Sequence, residues 1–220
     1  MKKVNYIISF LLVVCFLISA LAISSTLALH TQTTYNFHFN DGDAFKKTQP
    51  PVKPEKISGG ITKYFVDVSG DDLQIYDVNG KFKDPIFDKK DQRVMRKVKQ
   101  IVNIELVAGL VAAVAFLCFY KYLYSKGFKA AIRDRMKFAI PAGVVLVITR
   151  IVLVAVKSIR TRFYAEFIGV RLPKDSLVAA VYGDPFFKSY LLFSTIIAMV
   201  ILGITMYLNN KMTKPERIFY

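Results

Sequence analysis

Apolar residues along this chain are gathered into long runs rather than spread at the period of a strand or a soluble helix. A membrane span needs about 20 mostly apolar residues, because the hydrocarbon core is about 30 Å thick and a helix rises about 1.5 Å per residue. Four segments meet or nearly meet that length: Tyr6–Leu29, Ile101–Tyr120, Phe138–Val156 and Phe186–Leu208. The pattern predicts an α-helical polytopic membrane protein with four transmembrane helices. Burying four such helices in a water-soluble fold of 220 residues is implausible. The first run follows "MKK" and ends near "ALA", as a cleaved signal peptide would. It is longer than a signal-peptide core, which favours an uncleaved span.

Between the first two runs the pattern changes. "TTYNFHF" alternates Tyr35, Phe37 and Phe39, the period of a half-buried strand. "ITKYFVDV" and "LQIYDV" are two further strand candidates, and "NG" after the second is a hairpin signal before "KFKDPIF". "TQPPVKPEK" reads as an extended linker. The expectation is a small extracytoplasmic β-subdomain resting on the helix ends. "DKKDQRVMRKVKQIVNIEL" follows as a basic amphipathic helix, with Asp88 as its cap and Val94, Val98 and Ile101 on one face. The expected organisation is therefore a first span over 1–29, the β-subdomain and interfacial helix over 30–99, and the other three spans over 100–220.

The segment "RFYAEFIGVRLPKDSLVAAVYGDPFF" (162–187) separates the last two spans and is both aromatic and charged. "RFYAEFIGV" extends the third helix outward, with Phe163, Phe167 and Val170 on one face. Pro173 breaks it. "DSLVAAVYG" reads as a short apolar helix with Asp175 as N-cap and Gly183 as its stop. Asp184 and Pro185 then open the fourth span. A short apolar helix outside a bilayer belongs in the headgroup layer or re-enters slightly, roofing the helices below.

Charge sets the expected topology. With the N-terminus inside, the cytoplasmic pieces carry 11 Lys and Arg against two acids, and "KYLYSKGFKAAIRDRMK" is the strongest part of that signal. Both termini are then cytoplasmic in a plasma membrane. The outer 30–99 segment is nearly balanced, with 13 basic and 10 acidic residues. The formal net charge of +15 is thereby accounted for without nucleic acid. Cys15 and Cys118 fall inside spans and read as packing residues. No metal-ligand cluster and no glycine-rich phosphate loop is present, so neither a metal nor another cofactor is expected.

Two charges fall at membrane depth. Arg150 is seven residues from Lys157, about 10 Å deep in a straight helix, and Glu105 is about 6 Å deep on the second span. An intramembrane charge faces a partner or a water-filled cavity. A Glu105–Arg150 pair is one expectation, either locking two helices or serving a site.

The order of these features resembles the lipoprotein intramolecular transacylase (Lit) family and related four-span proteins of Gram-positive bacteria. The resemblance rests on the first span, "ITKYFVDV", the helix leading into the second span, and "FYAEF", "DSLV" and "DPFF" between spans three and four. It implies an outward-facing cavity, acyl transfer on the diacylglyceryl cysteine of a lipoprotein, and membrane lipids and lipoproteins as partners. The chain departs from the family pattern in "VMRKV", where Val94 stands in place of a histidine and Lys97 in place of an aspartate, and at Tyr164, in place of a second histidine. Acyl transfer from an ester oxygen to an amine needs a proton carrier, for which histidine is suited. His30 and His38 are the two histidines of the chain. Candidate catalytic groups are Tyr164, Glu166 and His38; candidate binding groups are Arg150, Arg162, Asp175 and Glu105. A relative that keeps the fold and binds lipid or lipoprotein without catalysis is the alternative.

Overall fold

A computed structural model describes residues 2–40, 45, 50, 52–67, 70, 72–76, 85–169, 171–172 and 176–214. Four helices are long and apolar enough to cross a membrane: Val4–His30, Lys89–Ser125, Lys129–Ala155 and Asp184–Met212. They coincide with the four apolar runs. A helix satisfies its own backbone polar groups, which hydrocarbon demands of any spanning segment. The helix labels used below are α1 (Lys2–His30), α2 (Gln32–Asn40), α3 (Pro54–Val66), α4 (Lys89–Ser125), α5 (Lys129–Lys137), α6 (Ala139–Ala155), α7 (Lys157–Phe163), α8 (Leu177–Val181) and α9 (Asp184–Met212). A π-helical turn at Tyr164–Ile168 follows α7.

The chain divides into two compact units. The first comprises Met1–Ser24, Glu105–Thr149 and Thr195–Tyr220. Leu12, Phe16, Leu123, Ile132 and Met136 are buried together at its core, and Phe16 meets Phe116 with ring centroids 5.4 Å apart. Gly109 lets α4 approach α1 closely, since a Cβ there would lie 2.8 Å from the Ala22 methyl.

The second unit comprises Ser25–Ile104 and Arg150–Ser194. Here the strand expectations are corrected. "TTYNFHF" lies within α2, whose buried positions are Thr34, Tyr35, His38 and Phe39. Tyr35 and Phe39 satisfy a period of two and also an i, i+4 helical face; Phe37, which a strand would bury with them, is exposed. "ITKYFV" lies within α3, which buries Ile57, Ser58, Ile61, Tyr64 and Phe65 at helical spacing. Pro54 occupies its first turn, where a missing N–H costs nothing. The linker reading of "TQPPVKPEK" thus ends at Lys53.

No strand occurs among the described residues; one antiparallel bridge joins Tyr76 to Pro85. Ile86 donates its N–H to the Ile75 carbonyl at 2.9 Å. The Asn79-Gly80 turn lies outside the described residues. Leu73 finds its partner in a side chain instead of a strand. Its N–H donates to Gln92 Oε1 at 2.8 Å and its carbonyl accepts from Gln92 Nε2 at 2.7 Å. Lys99, nearly buried, donates to the carbonyls of Asp67 and Gly70 and lies 4.2 Å from the centroid of the Tyr64 ring. Polar side chains of α4 therefore satisfy backbone that would otherwise need a sheet.

The third helix also departs from expectation, because it does not run straight outward. Val156 is extended and separates α6 from α7. The break frees the carbonyl of Val154, and Arg160 Nη1 donates to it at 2.7 Å. Arg160 is almost fully buried, bonds through Nη2 to Asp184, and lies 4.2 Å from the centroid of the Phe187 ring. One arginine thus ties the kink to the first turn of α9.

Candidate functional site

The second unit holds most of the chemistry. Phe186 is its aromatic centre, with centroids of Tyr35, Tyr182, Tyr190 and Phe187 at 5.3, 4.9, 6.1 and 5.4 Å. His38 packs on the same ring at 6.2 Å and is 1% exposed. Its Nε2 lies 3.1 Å from the carbonyl of Ala180 in α8. A carbonyl only accepts, so Nε2 carries the proton and Nδ1 is the basic nitrogen of the neutral ring. Burial pushes the phenols of Tyr35 and Tyr182 above the ordinary tyrosine range, so both stay neutral hydroxyls. Tyr35 also donates its hydroxyl to the Leu29 carbonyl at 3.0 Å.

Helix α8 is held at its other end by an acid. Ser176 is its N-cap, accepting from the Ala179 N–H at 3.1 Å. The sequence assigned that role to Asp175, which lies outside the described residues. The Asp91 carboxylate accepts from the Ser176 hydroxyl and from the Val178 and Leu177 amides. Asp91 sits in the first turn of α4, ahead of the apolar segment that begins at Ile101, and is 3% exposed. Its Oδ1 has no hydrogen-bond partner among the described residues. Burial raises its pKa above the usual aspartate value, and nearby Asp88 adds to that; the three donors of the α8 segment oppose it.

A third polar array joins three helices. Arg150 Nη2 donates to the Tyr190 hydroxyl at 2.7 Å, and that hydroxyl lies 2.5 Å from Ser25 Oγ. The guanidinium also lies 5.1 Å from the centroid of the Tyr190 ring. Of the other candidates, Tyr164 is half-buried and meets Phe187 at 6.1 Å. Arg162 and Glu166 form an i, i+4 pair at 3.9 Å with most of both side chains exposed, a contact of about 0.3–0.5 kcal/mol. Glu105 is half-buried on α4 within the first unit. Val94 is half-buried on α4, and Lys97 is exposed and donates to the Gly169 carbonyl at 3.2 Å.

Sequence reasoning named His38, Tyr164 and Arg150 and passed over Asp91, Tyr190 and Ser25. The signal for Asp91 was its place as an acid beside a basic amphipathic face. Tyr190 and Ser25 carried no signal, because each reads as an ordinary residue of an apolar span.

Four apolar helices, joined by short helices that bury polar groups, define a multi-pass integral membrane protein. No family model matches the chain, and no curated protein matches it. A solved structure does: the membrane-integral lipoprotein intramolecular transacylase Lit from Bacillus cereus superposes with a TM-score of 0.65 over 96% of this chain and 98% of that one, at 12% identity. The chain therefore has the Lit fold.

Proposed function

We propose that this protein binds a lipid or lipoprotein headgroup at the outer leaflet and acts on it by acyl transfer. The observation that carries the reading is His38, buried on α2 against Phe186 with its tautomer set by Ala180, within a fold shared with a lipoprotein transacylase. Transfer from an ester oxygen to a free amine requires the nitrogen to shed a proton as it attacks the ester carbonyl. The departing alkoxide must gain one. On this reading His38 Nδ1 carries that proton once substrate displaces the side chains that enclose the ring. Arg150, held by Tyr190, supplies positive charge for a phosphoryl or carbonyl oxygen. Tyr164 is a hydrogen-bond donor beside Phe187.

By the resemblance, Val94 and Tyr164 stand where the family's catalytic histidines would be. That favours a second reading, a membrane protein that keeps the fold and binds lipid or lipoprotein without chemistry. Expression in a bacterium lacking lipoprotein N-acylation separates the two, with mass spectrometry of lipoprotein N-termini as the readout. N-acylated lyso products that vanish with His38→Gln support acyl transfer. Unchanged diacylated lipoproteins from well-expressed protein support the binding reading.

A further inference from the structure

The first compact unit carries a feature that the proposed site does not use. Helix α5 is anchored in the core of that unit by Ile132 and Met136, both 0% exposed. Lys129, Arg133 and Lys137 recur at i, i+4 and i+8, so they lie along one stripe about 12 Å long. Lys137 is 65% and Arg133 32% exposed at the side chain. Lys129 rests over the Tyr124 ring at 5.0 Å from its centroid. The aromatic residues at the two ends of the helix, Phe128 and Phe138, are 36% and 60% exposed.

The charge of this region is one-sided. Between Lys121 and Lys137 the chain has six basic residues and one acid, a formal +5. That acid, Asp134, stands 3.1 Å from Lys137 and 4.0 Å from Arg133, and so offsets only one of the two cations. Arg135 is turned to another task, over the Tyr6 ring at 4.2 Å. An anion lying over the stripe would relieve the repulsion between its cations. Cations beside exposed apolar rings, at the ends of apolar spans, suit the boundary between headgroups and acyl chains.

We propose that the α5 stripe is a binding site for anionic phospholipid headgroups. Lys129, Arg133 and Lys137 contact the phosphates, and Phe128 and Phe138 sit among the glycerol and upper acyl groups. Two adjacent headgroups, or one with two phosphates, match the length of the stripe. This site lies in a different compact unit from His38 and Arg150 and does not depend on the proposed activity.

The test uses the full chain in nanodiscs and in detergent, with phosphatidylglycerol and cardiolipin as probes and phosphatidylcholine as the neutral control. Native mass spectrometry counts retained lipids, and thermal unfolding reports stabilisation. The wild type is expected to retain anionic lipid in preference to neutral lipid and to unfold at a higher temperature with it. Both effects are expected to shrink as salt rises, because surface attraction is screened. Arg133→Gln and Lys137→Gln are each expected to weaken retention roughly fivefold, whereas Lys211→Gln, on α9, is not. Should either variant misfold, Lys129→Gln, the third cation of the stripe, carries the same expectation. Equal retention of anionic and neutral lipid, or a preference unchanged by salt and by both substitutions, overturns the proposal.

Discussion

His38 Nε2 and the carbonyl oxygen of Ala180 stand 3.1 Å apart across 142 residues of chain. The contact fixes α8 against α2 and decides which nitrogen of the imidazole is basic. Removing the ring leaves that carbonyl without its donor in a buried setting, at a cost of about 1–3 kcal/mol. His38→Ala is expected to lower stability by that amount in addition to the lost packing on Phe186. His38→Gln, which can still donate, is expected to lose less. Thermal or denaturant unfolding of the purified chain in detergent measures both.

Asp91 makes stability depend on pH. Its folded pKa is raised above the ordinary value of 3.8, so the folded state binds the proton more tightly than the unfolded state does. A raised acid contributes stability below its unfolded pKa and loses that contribution as pH rises through the folded value. Asp91→Asn removes the titration while keeping a side-chain oxygen for Ser176 and the α8 amides. The unfolding temperature of the variant relative to the wild type is therefore expected to rise from about pH 4 towards neutrality. A constant difference across that range would show that Asp91 does not titrate with folding.

Arg150, Tyr190 and Ser25 form one connected array. Tyr190→Phe keeps the ring stacked on Phe186 and deletes the hydroxyl between Arg150 and Ser25. Arg150→Gln removes the charge. Because both substitutions break the same link, their effects on stability are expected to be non-additive by about 1–2 kcal/mol. Additive effects in a double-mutant cycle would mean that the two residues act separately.

Two neighbouring glycines of α3 give opposite expectations. A Cβ on Gly60 would lie 2.6 Å from Ile75 Cγ1, whereas on Gly59 the nearest atom is Gln32 Nε2 at 3.6 Å. Gly59→Ala is expected to stabilise by up to about 1 kcal/mol through helix propensity. Gly60→Ala is expected to destabilise, because buried Ile75 must shift.

The spans were legible because twenty apolar residues in a row have few alternatives. Tyr35 and Phe39 fit a strand and a helix equally, and only the burial of His38 together with the exposure of Phe37 separates them. In α3 the β-branched Ile61, Thr62 and Val66 favoured the strand reading, but the i, i+4, i+7, i+8 series from Ile57 to Phe65 decides for a helix. The kink at Val156 has no local mark at all. It depends on Arg160, whose partners Asp184 and Phe187 lie more than twenty residues away. Of the candidate site, Arg150 was visible as a charge inside an apolar run and His38 as one of the two histidines of the chain. Their partners Ala180 and Tyr190 become visible only when the chain is folded.

The central claim is that the second unit binds a lipoprotein headgroup through the groups around His38 and Arg150. The most direct measurement is binding of a synthetic peptide with an N-terminal diacylglyceryl cysteine to the purified full chain, followed by native mass spectrometry. Saturable binding is expected, weakened roughly tenfold or more by Arg150→Gln, as befits loss of a charged donor. It should be kept by Lys137→Gln, which lies in the other unit. No binding by folded protein, or equal binding by the wild type and the Arg150→Gln variant, would contradict the account.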